Sequence, residues 1–469
     1  MRWPIIYLAT TFLALPTLAN AETQTLEQAW TLAYQNNPSL EAERAKLRAT
    51  DEEVSQALSH WRPSIDATAN VGRTYQETPS LEPFGTGDFA GTTRGYGAQL
   101  TQPLFRGGRT YYETKAAEKD VLAGRAKLSD AEQQLFLDTA TAFLDVLRDE
   151  AVVQSERDNE SVLQEKLHET QERFKVGDLA QTDVHQAESR LARAHVTRVQ
   201  AEKSLAEDRA NYLRLVGKPA EHLQPPNLVI APSRNLQGVF DLADTHNPKV
   251  ISAKFDFEQA DAQIGLNSGS LLPEVNLVGN TGRNWEQNST LPGEQTSTQV
   301  LVQLTMPLYR SGADYSRTRQ AQQTASEKRL DWDEARHKAH EAADNAWQAF
   351  QAAQAALDAD RTEVEAAGQA LEGVKVQSKV GTRTTLDELN AEQELLDAKI
   401  DQAKSQHDRD LAVLQIRSAV GELVADNLKL PVRAYDPVHH YDDVRNQWAG
   451  FSKDDAHYAV HTLKQPTLQ

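Results

Sequence analysis

The spacing of apolar positions changes period several times along the chain. From Leu26 to about His60, and again from Leu236 to about Ser268, apolar residues recur at helical spacing with little glycine or proline until the ends. Each stretch predicts one long helix. After Pro63 the period drops to two: Ile65, Ala67, Ala69 and Val71 alternate with Asp66, Thr68 and Asn70. Tyr96, Ala98 and Leu100 alternate with Gly97, Gln99 and Thr101. Further on, Val275 and Leu277 flank Asn276, and Val300, Val302, Leu304 and Met306 alternate with Leu301, Gln303 and Thr305. Four strands follow from this alternation. The segments ETPSLEPFGTGDFAGTT (77–93) and EQNSTLPGEQTST (286–298) separate the members of each pair, and their Gly, Pro and Thr predict exposed loops.

From Arg109 to Val176 there is no proline and glycine only at Gly124, so a helix of about 100 Å is possible at ~1.5 Å per residue. A second helix from Asp183 to Val216 returns alongside it. Val184, Ala187, Leu191, Ala194, Arg198, Ala201, Leu205, Asp208, Tyr212 and Leu215 step by threes and fours, a heptad-type seam with small and polar members that calls for close packing. Ala321 to Val380 and Leu386 to Val420 repeat the pair.

That repetition organises the whole chain. NNPSLEAERAKL at Asn36 resembles HNPKVISAKFDF at His246, with Pro38 against Pro248, and WRPSI at Trp61 falls on LLPEV at Leu271, both at a shift of 210. QLTQPLFRGGRTYY at Gln99 resembles QLTMPLYRSGADYS at Gln303, with Pro103 against Pro307; here, and for Gly177 with Gly381 and Gly217 with Gly421, the shift is 204. The six-residue drop places a shorter inter-strand loop in the second copy. The resulting divisions are a segment 1–21, a first helix–strand–strand–helix repeat 22–216, a proline-marked linker 217–235, a second repeat 236–430, and a tail 431–469 expected to be ordered only in part.

Four strands cannot close into a barrel, which needs about eight or more. Three chains would supply 3 × 4 = 12, with Ile, Ala, Val, Leu and Tyr facing lipid and Asp, Asn, Gln, Thr and Gly facing a water-filled bore. The same alternation also fits a soluble sheet with one wet face. Composition bears on that choice. The start MRWPIIYLATTFLALPTLANA, with Arg2, an apolar run from Ile5 to Leu18 and Ala19-Asn20-Ala21, has the form of a secretory signal peptide. No cysteine is present, which excludes disulfides, thiolate metal sites and a cysteine-linked lipid anchor. The net charge of −19 disfavours nucleic acid as a partner. No later segment reaches the ~20 apolar residues of a membrane-spanning helix, so entry into a membrane would have to be as β-strands.

No Walker, G-x-S-x-G, H-E-x-x-H or Gly-rich dinucleotide motif occurs, so an enzymatic reading has no residues to stand on, and no cofactor is implied. His337 and His340 lie one helical turn apart without a third ligand nearby, and His439, His440, His457 and His461 read as a loose surface in the tail.

Taken together, the leader, the duplicated units, the QPLFRGG and MPLYRSG turns from strand into helix, and the paired VGDLAQTDV and VGTRTTLDELNA segments resemble the TolC family of trimeric outer-membrane channels. The resemblance spans roughly Glu22 to Pro431. It implies an α+β membrane protein in which four strands per protomer complete a 12-stranded trimeric barrel, continued into a coiled-coil helical tunnel in the periplasm. It implies a homotrimer in outer-membrane lipid, working with a periplasmic adaptor and an inner-membrane transporter to export proteins or small toxic compounds. Asp387 occupies the position of a carboxylate lining the closed entrance, where threefold symmetry would make an anionic ring favouring cations. Asn390 stands where better-known members have a second aspartate. Arg383 matches an arginine linking neighbouring coils in the closed state, Thr182 and Asp183 match its partners, and Ser378 replaces an aromatic latch. Gly177 and Gly381 end one helix in a left-handed turn before a Thr or Asp cap, and the resemblance makes these tips the adaptor-docking points. The competing architecture is a periplasmic coiled-coil adaptor or scaffold, with a secreted hydrolase a remote third.

Overall fold

The computed structural model describes residues 23–76, 89–228, 235–286 and 293–450. The expected signal peptide, residues 77–88 and 287–292 of the two inter-strand segments, part of the linker and the end of the tail lie outside the described residues. The elements run α1 (Leu26–Asn36), α2 (Pro38–Ser59), β1 (Ser64–Gln76), β2 (Phe89–Arg106), α3 (Arg109–Lys175), α4 (Gln181–Val216), α5 (Leu236–His246), α6 (Pro248–Gly269), β3 (Glu274–Glu286), β4 (Gly293–Thr305), α7 (Ala313–Lys379), α8 (Thr385–Ala419) and α9 (His439–Val444).

Three expectations are corrected. The stretches 26–60 and 236–268 are each two helices, broken at Asn37 and Asn247, whose ψ values of 119° and 122° are extended. Proline at the next position clashes with an α-helical predecessor and forces the break, while itself starting the following helix well. The loops are also shorter than their Gly and Thr content indicates. β2 begins at Phe89 and β4 at Gly293, because threonine suits a pleated surface and the cross-strand ladder continues to Gln76 opposite Phe89 and Glu286 opposite Gly293. Finally, the tail histidines are not all loose, as described below.

The chain divides into two compact units, Met1–Asn37 with Leu135–Ile230 and Ala349–Leu414, and Pro38–Gln134 with Ala231–Gln348 and Gln415–Gln469. In the first, α1 is held by a capping box between Thr25 and Gln28 and lays Trp30 and Tyr34 against Phe136, with Trp30 Nε1 donating to the Phe136 carbonyl at 2.8 Å. Phe143 and Tyr212 pack at 6.2 Å between ring centres in the same core. Towards the helix tips the core thins to Leu163, Ala194 and Leu389 with Leu191 against them. Small residues at the seam let the helices approach closely, as the heptad pattern requires.

The second unit holds the sheet, an antiparallel meander of order β1-β2-β3-β4. Its register places Ile65 beside Leu100, Leu100 beside Gly279 and Gly279 beside Val300, on the face shared with Ala67, Ala98, Leu277, Val302 and Leu304. The opposite face carries Asp66, Thr68, Asn70, Gln99, Asn280 and Gln299. Pairing slips between Pro103 and Phe105, where proline offers no amide to the ladder. Ile65, Val71, Val300, Val302 and Leu304 are exposed. A 2.6 Å ion pair from Arg109 to Glu274 ties the start of α3 to β3, and Lys119 pairs with Glu258 of α6 at 2.6 Å. Asn247 caps α6 and donates to the Ala419 carbonyl at 2.9 Å. The tail folds back through α9: His440 meets the buried Asp51 of α2 at 3.2 Å, and Arg125 lies over Tyr441. His340 stacks on Phe240 and faces Asp244 at 3.0 Å.

Candidate gate at the hairpin tips

Both interruptions of the long helices are built alike. Gly177 has φ 81° and Gly381 φ 78°, with open space where a Cβ would stand, so backbone conformation rather than crowding selects glycine. The chain then closes each helix with a 6→1 bond: the Asp178 amide donates to the Arg173 carbonyl at 2.9 Å, and the Thr382 amide to the Gln377 carbonyl at 3.0 Å. Arg173 and Asp178 add a 2.7 Å ion pair across the first tip. Directly before the two glycines, Val176 and Val380, the first residues of the tips expected at 176–182 and 380–385, are 80 % and 71 % exposed, an apolar knob on each tip. Such exposure of an isolated valine becomes informative only because the duplication repeats it.

The helices that follow start with the same device. Thr384 and Asp387 form a reciprocal cap on α8: the Asp387 amide donates to Thr384 Oγ1 at 3.2 Å, and the Thr384 amide and hydroxyl donate to Asp387 Oδ2, each at 2.9 Å. On α4 the Ala180 amide donates to Asp183 Oδ2 at 3.1 Å; alanine has no hydroxyl, so only half the box exists. Asp183 and Asp387 are thus the same residue of the repeat in the same role. The hydrogen bonds from Thr384, and then the charge of Arg383, hold the Asp387 carboxyl below the usual aspartate range.

Arg383 touches Gln377 at 3.3 Å and Asp387 at 3.9 Å within this protomer, so the expected partners Thr182 and Asp183 are not brought to it here. Thr182 is exposed on the first turn of α4. Asn390, one turn beyond Asp387, accepts from Arg190 Nη2 of α4 at 2.9 Å. Glu388 faces the other way. It is buried and closes a 2.7 Å ion pair with Lys166 of α3, while Lys375 of α7 holds the largely buried Glu392 at 2.9 Å. In the sequence Glu388 is set apart from the direction of Asp387, but Glu392 is not singled out; Leu389 between them marks the buried side of α8. Ser378 is buried beneath the tip. No group of three or more potential metal ligands occurs among the described residues.

Two duplicated helical hairpins and an open four-stranded sheet are the parts of the outer-membrane channel fold. The family model described as "Outer membrane efflux protein" matches residues 30–218 and 239–422, and the chain belongs to that family. It is 30 % identical over 435 residues to the outer membrane efflux protein BepC of Brucella suis, covering 93 % of each chain. It is 28 % identical over 421 residues to the outer membrane protein TolC of Vibrio cholerae, covering 87 % of this chain and 94 % of that one. Among solved structures, the CmeC outer membrane channel of Campylobacter jejuni matches with a TM-score of 0.77 at 15 % identity, over 90 % of this chain and 89 % of that one. The chain is accordingly an outer-membrane protein with helices reaching into the periplasm.

Proposed function

We propose that the chain is one protomer of a homotrimeric export channel, closed at its hairpin tips and engaged by a periplasmic adaptor and an inner-membrane transporter. The observation that carries this reading is the sheet. β1 and β4 are edge strands of 13 residues each, longer than the ~9–11 residues that span a bilayer, and lipid cannot satisfy the amides of an open edge. Pairing β4 of one copy with β1 of the next gives 3 × 4 = 12 strands and leaves no edge. The apolar face then meets lipid and the Asp66, Asn70, Gln99 and Gln299 face meets water.

In that assembly the threefold axis gathers three copies of Asp387, with Asn390 one turn further on, into a polar constriction. Arg383 turns from Gln377 and Asp387 to Thr182 and Asp183 of an adjoining coil, a charge-assisted link that holds the closed state. The paired tips at Gly177 and Gly381, with Val176 and Val380 exposed beside them, serve as the adaptor-docking points. The transported material is a protein or small toxic compound.

Single-channel recording tests the gate. Arg383→Ser and Asp183→Ala should each raise conductance over wild type, and unchanged conductance in both removes the latch. A scaffold or adaptor would fractionate as a soluble periplasmic protein, whereas the channel is extracted from outer membranes as a heat-modifiable trimer.

A further inference from the structure

The four strands carry four arginines, and apart from Arg106, where β2 runs into α3, all sit on the apolar face. Arg73 of β1, Arg94 of β2 and Arg283 of β3 follow the parity of Val71, Ala98 and Leu277, not that of the polar face. Their positions are correlated. Arg94 lies opposite Val71, two residues from Arg73, and Arg283 lies opposite Tyr96, two residues from Arg94. Diagonal neighbours of this kind are about 7–8 Å apart. The three therefore form one line that descends by two residues per strand.

The apolar band descends in the same way. It runs from Ile65 to Val71 on β1 and from Val300 to Leu304 on β4, with Val300 in the row of Ile65. An arginine line parallel to that band stays level along its upper border. Tyr75, Tyr96 and Trp285 accompany it, with Tyr96 and Trp285 packed at 5.6 Å, as an interfacial aromatic girdle would be. Arg283 has Glu294 at 2.9 Å, half of each side chain remaining exposed. Among the described residues Arg73 and Arg94 have no acidic partner and both are exposed. Three cations against one anion stand out on a chain of net charge −19. The border lies at the end of the strands away from α2 and α3, hence at the outer leaflet if the helices are periplasmic.

We propose that Arg73, Arg94 and Arg283 form a phosphate-binding belt for the phosphorylated glycolipid of the outer leaflet, lipid A in chemical class. Planar guanidinium groups bind phosphate oxygens in pairs and are less strongly hydrated than lysine, so they suit the edge of a hydrocarbon layer. The inference rests on the apolar face meeting lipid, as proposed above, and a separate measurement checks that premise. The chain lacks cysteine, so single labels can be placed at Ile65→Cys and Asp66→Cys in the reconstituted trimer. A fluorophore at 65 should be quenched from the lipid and one at 66 from water; the reverse overturns the orientation itself.

With orientation established, the belt is tested by binding of diphosphoryl lipid A to the trimer in phosphatidylethanolamine nanodiscs. R73Q/R94Q/R283Q should bind on the order of 100-fold more weakly, each arginine contributing about fivefold, while trimer formation and conductance persist. R73K/R94K/R283K, which keeps the charge but loses the paired bonds, should bind more weakly than wild type and more tightly than the glutamine variant. Undiminished binding by the glutamine variant overturns the belt with the orientation intact. Should that variant not assemble, wild-type trimer decides: diphosphoryl lipid A must bind more tightly than the monophosphoryl form and than phosphatidylglycerol, and equal binding of the three overturns the proposal.

Discussion

Lys166 of α3 reaches Glu388 of α8 at 2.7 Å, with only 6 % of the glutamate side chain exposed, and this pair fixes which way the first turn of α8 faces. With Glu388 and Leu389 turned inward, Asp387 and Asn390 are left on the outer side. Removing Lys166 alone strands a buried carboxylate. Lys166→Ala should therefore loosen the tip by about 2 kcal/mol, the cost of an unsatisfied buried charged group, seen as faster amide exchange over 385–392. Replacing both partners, Lys166→Met with Glu388→Leu, should recover most of the protection.

Gly217 and Gly421 are equivalent in the repeat and end α4 and α8 at φ 80° and 81°. Their surroundings differ. A Cβ at 217 meets nothing within 4 Å, whereas one at 421 would stand 2.3 Å from the His246 carbonyl oxygen. Gly217→Ala should cost about 1–2 kcal/mol of backbone strain. Gly421→Ala should cost clearly more, because the backbone around Asn247 must move as well. Thermal unfolding of the two variants side by side measures the difference.

Asp387 keeps its charge to lower pH than an ordinary aspartate because Thr384 hydrogen-bonds the carboxylate. If it lines the constriction, Asp387→Asn should shift the reversal potential in a salt gradient towards zero. Thr384→Val should weaken the cap by about 1 kcal/mol and move the acid limit of cation preference upward in pH. Planar-bilayer recordings between pH 3.5 and 7 check both.

His407 of α8 sits among Asp145, Arg148 and Asp149 of α3, Asp208 of α4, and Asp408, Arg409 and Asp410 of its own helix, with Asp145 at 3.0 Å. Burial opposes the imidazolium, yet hydrogen bonds to Asp145 and Asp408 and the Asp145 charge raise its pKa above 6.5. The fold thus favours the protonated form. Its contribution is complete below pH 6.5 and is lost as pH rises through the folded-state value. Asp208, pushed up to about 6 by burial and by Asp145 and Asp149, acts in the same sense between 3.8 and 6. Local stability around 400–410 should fall from pH 6 to pH 8.5, and His407→Gln should flatten that slope in hydrogen exchange.

Much of the fold was legible because it depends on short-range regularities. The four strands, the long helices and the duplication are written in period and spacing. Asn37 and Asn247 were misread because helical spacing continues across them, and only the proline that follows breaks the backbone. The tips were found through Gly177 and Gly381, and the resemblance singled out Asp387 and Arg383. Val176 and Val380 entered only as the edges of those tips, Glu388 only as an acid facing away from Asp387, and the partners Lys166 and Lys375 and the acid Glu392 not at all, since a lone charge on a helix carries no signal of its own.

Most helical, extended and turned stretches follow from local chemistry, because φ, ψ and hydrophobic period are local properties repeated over two hundred residues. Hydrophobic period does not give the breaks at Asn37 and Asn247 or the starts of β2 and β4. Packing and register settle which acids of α8 pair internally, which glycines are crowded, and that Arg73, Arg94 and Arg283 share one level on one face. Those facts depend on helix rotation, cross-strand register and the approach of distant segments, which no local pattern encodes.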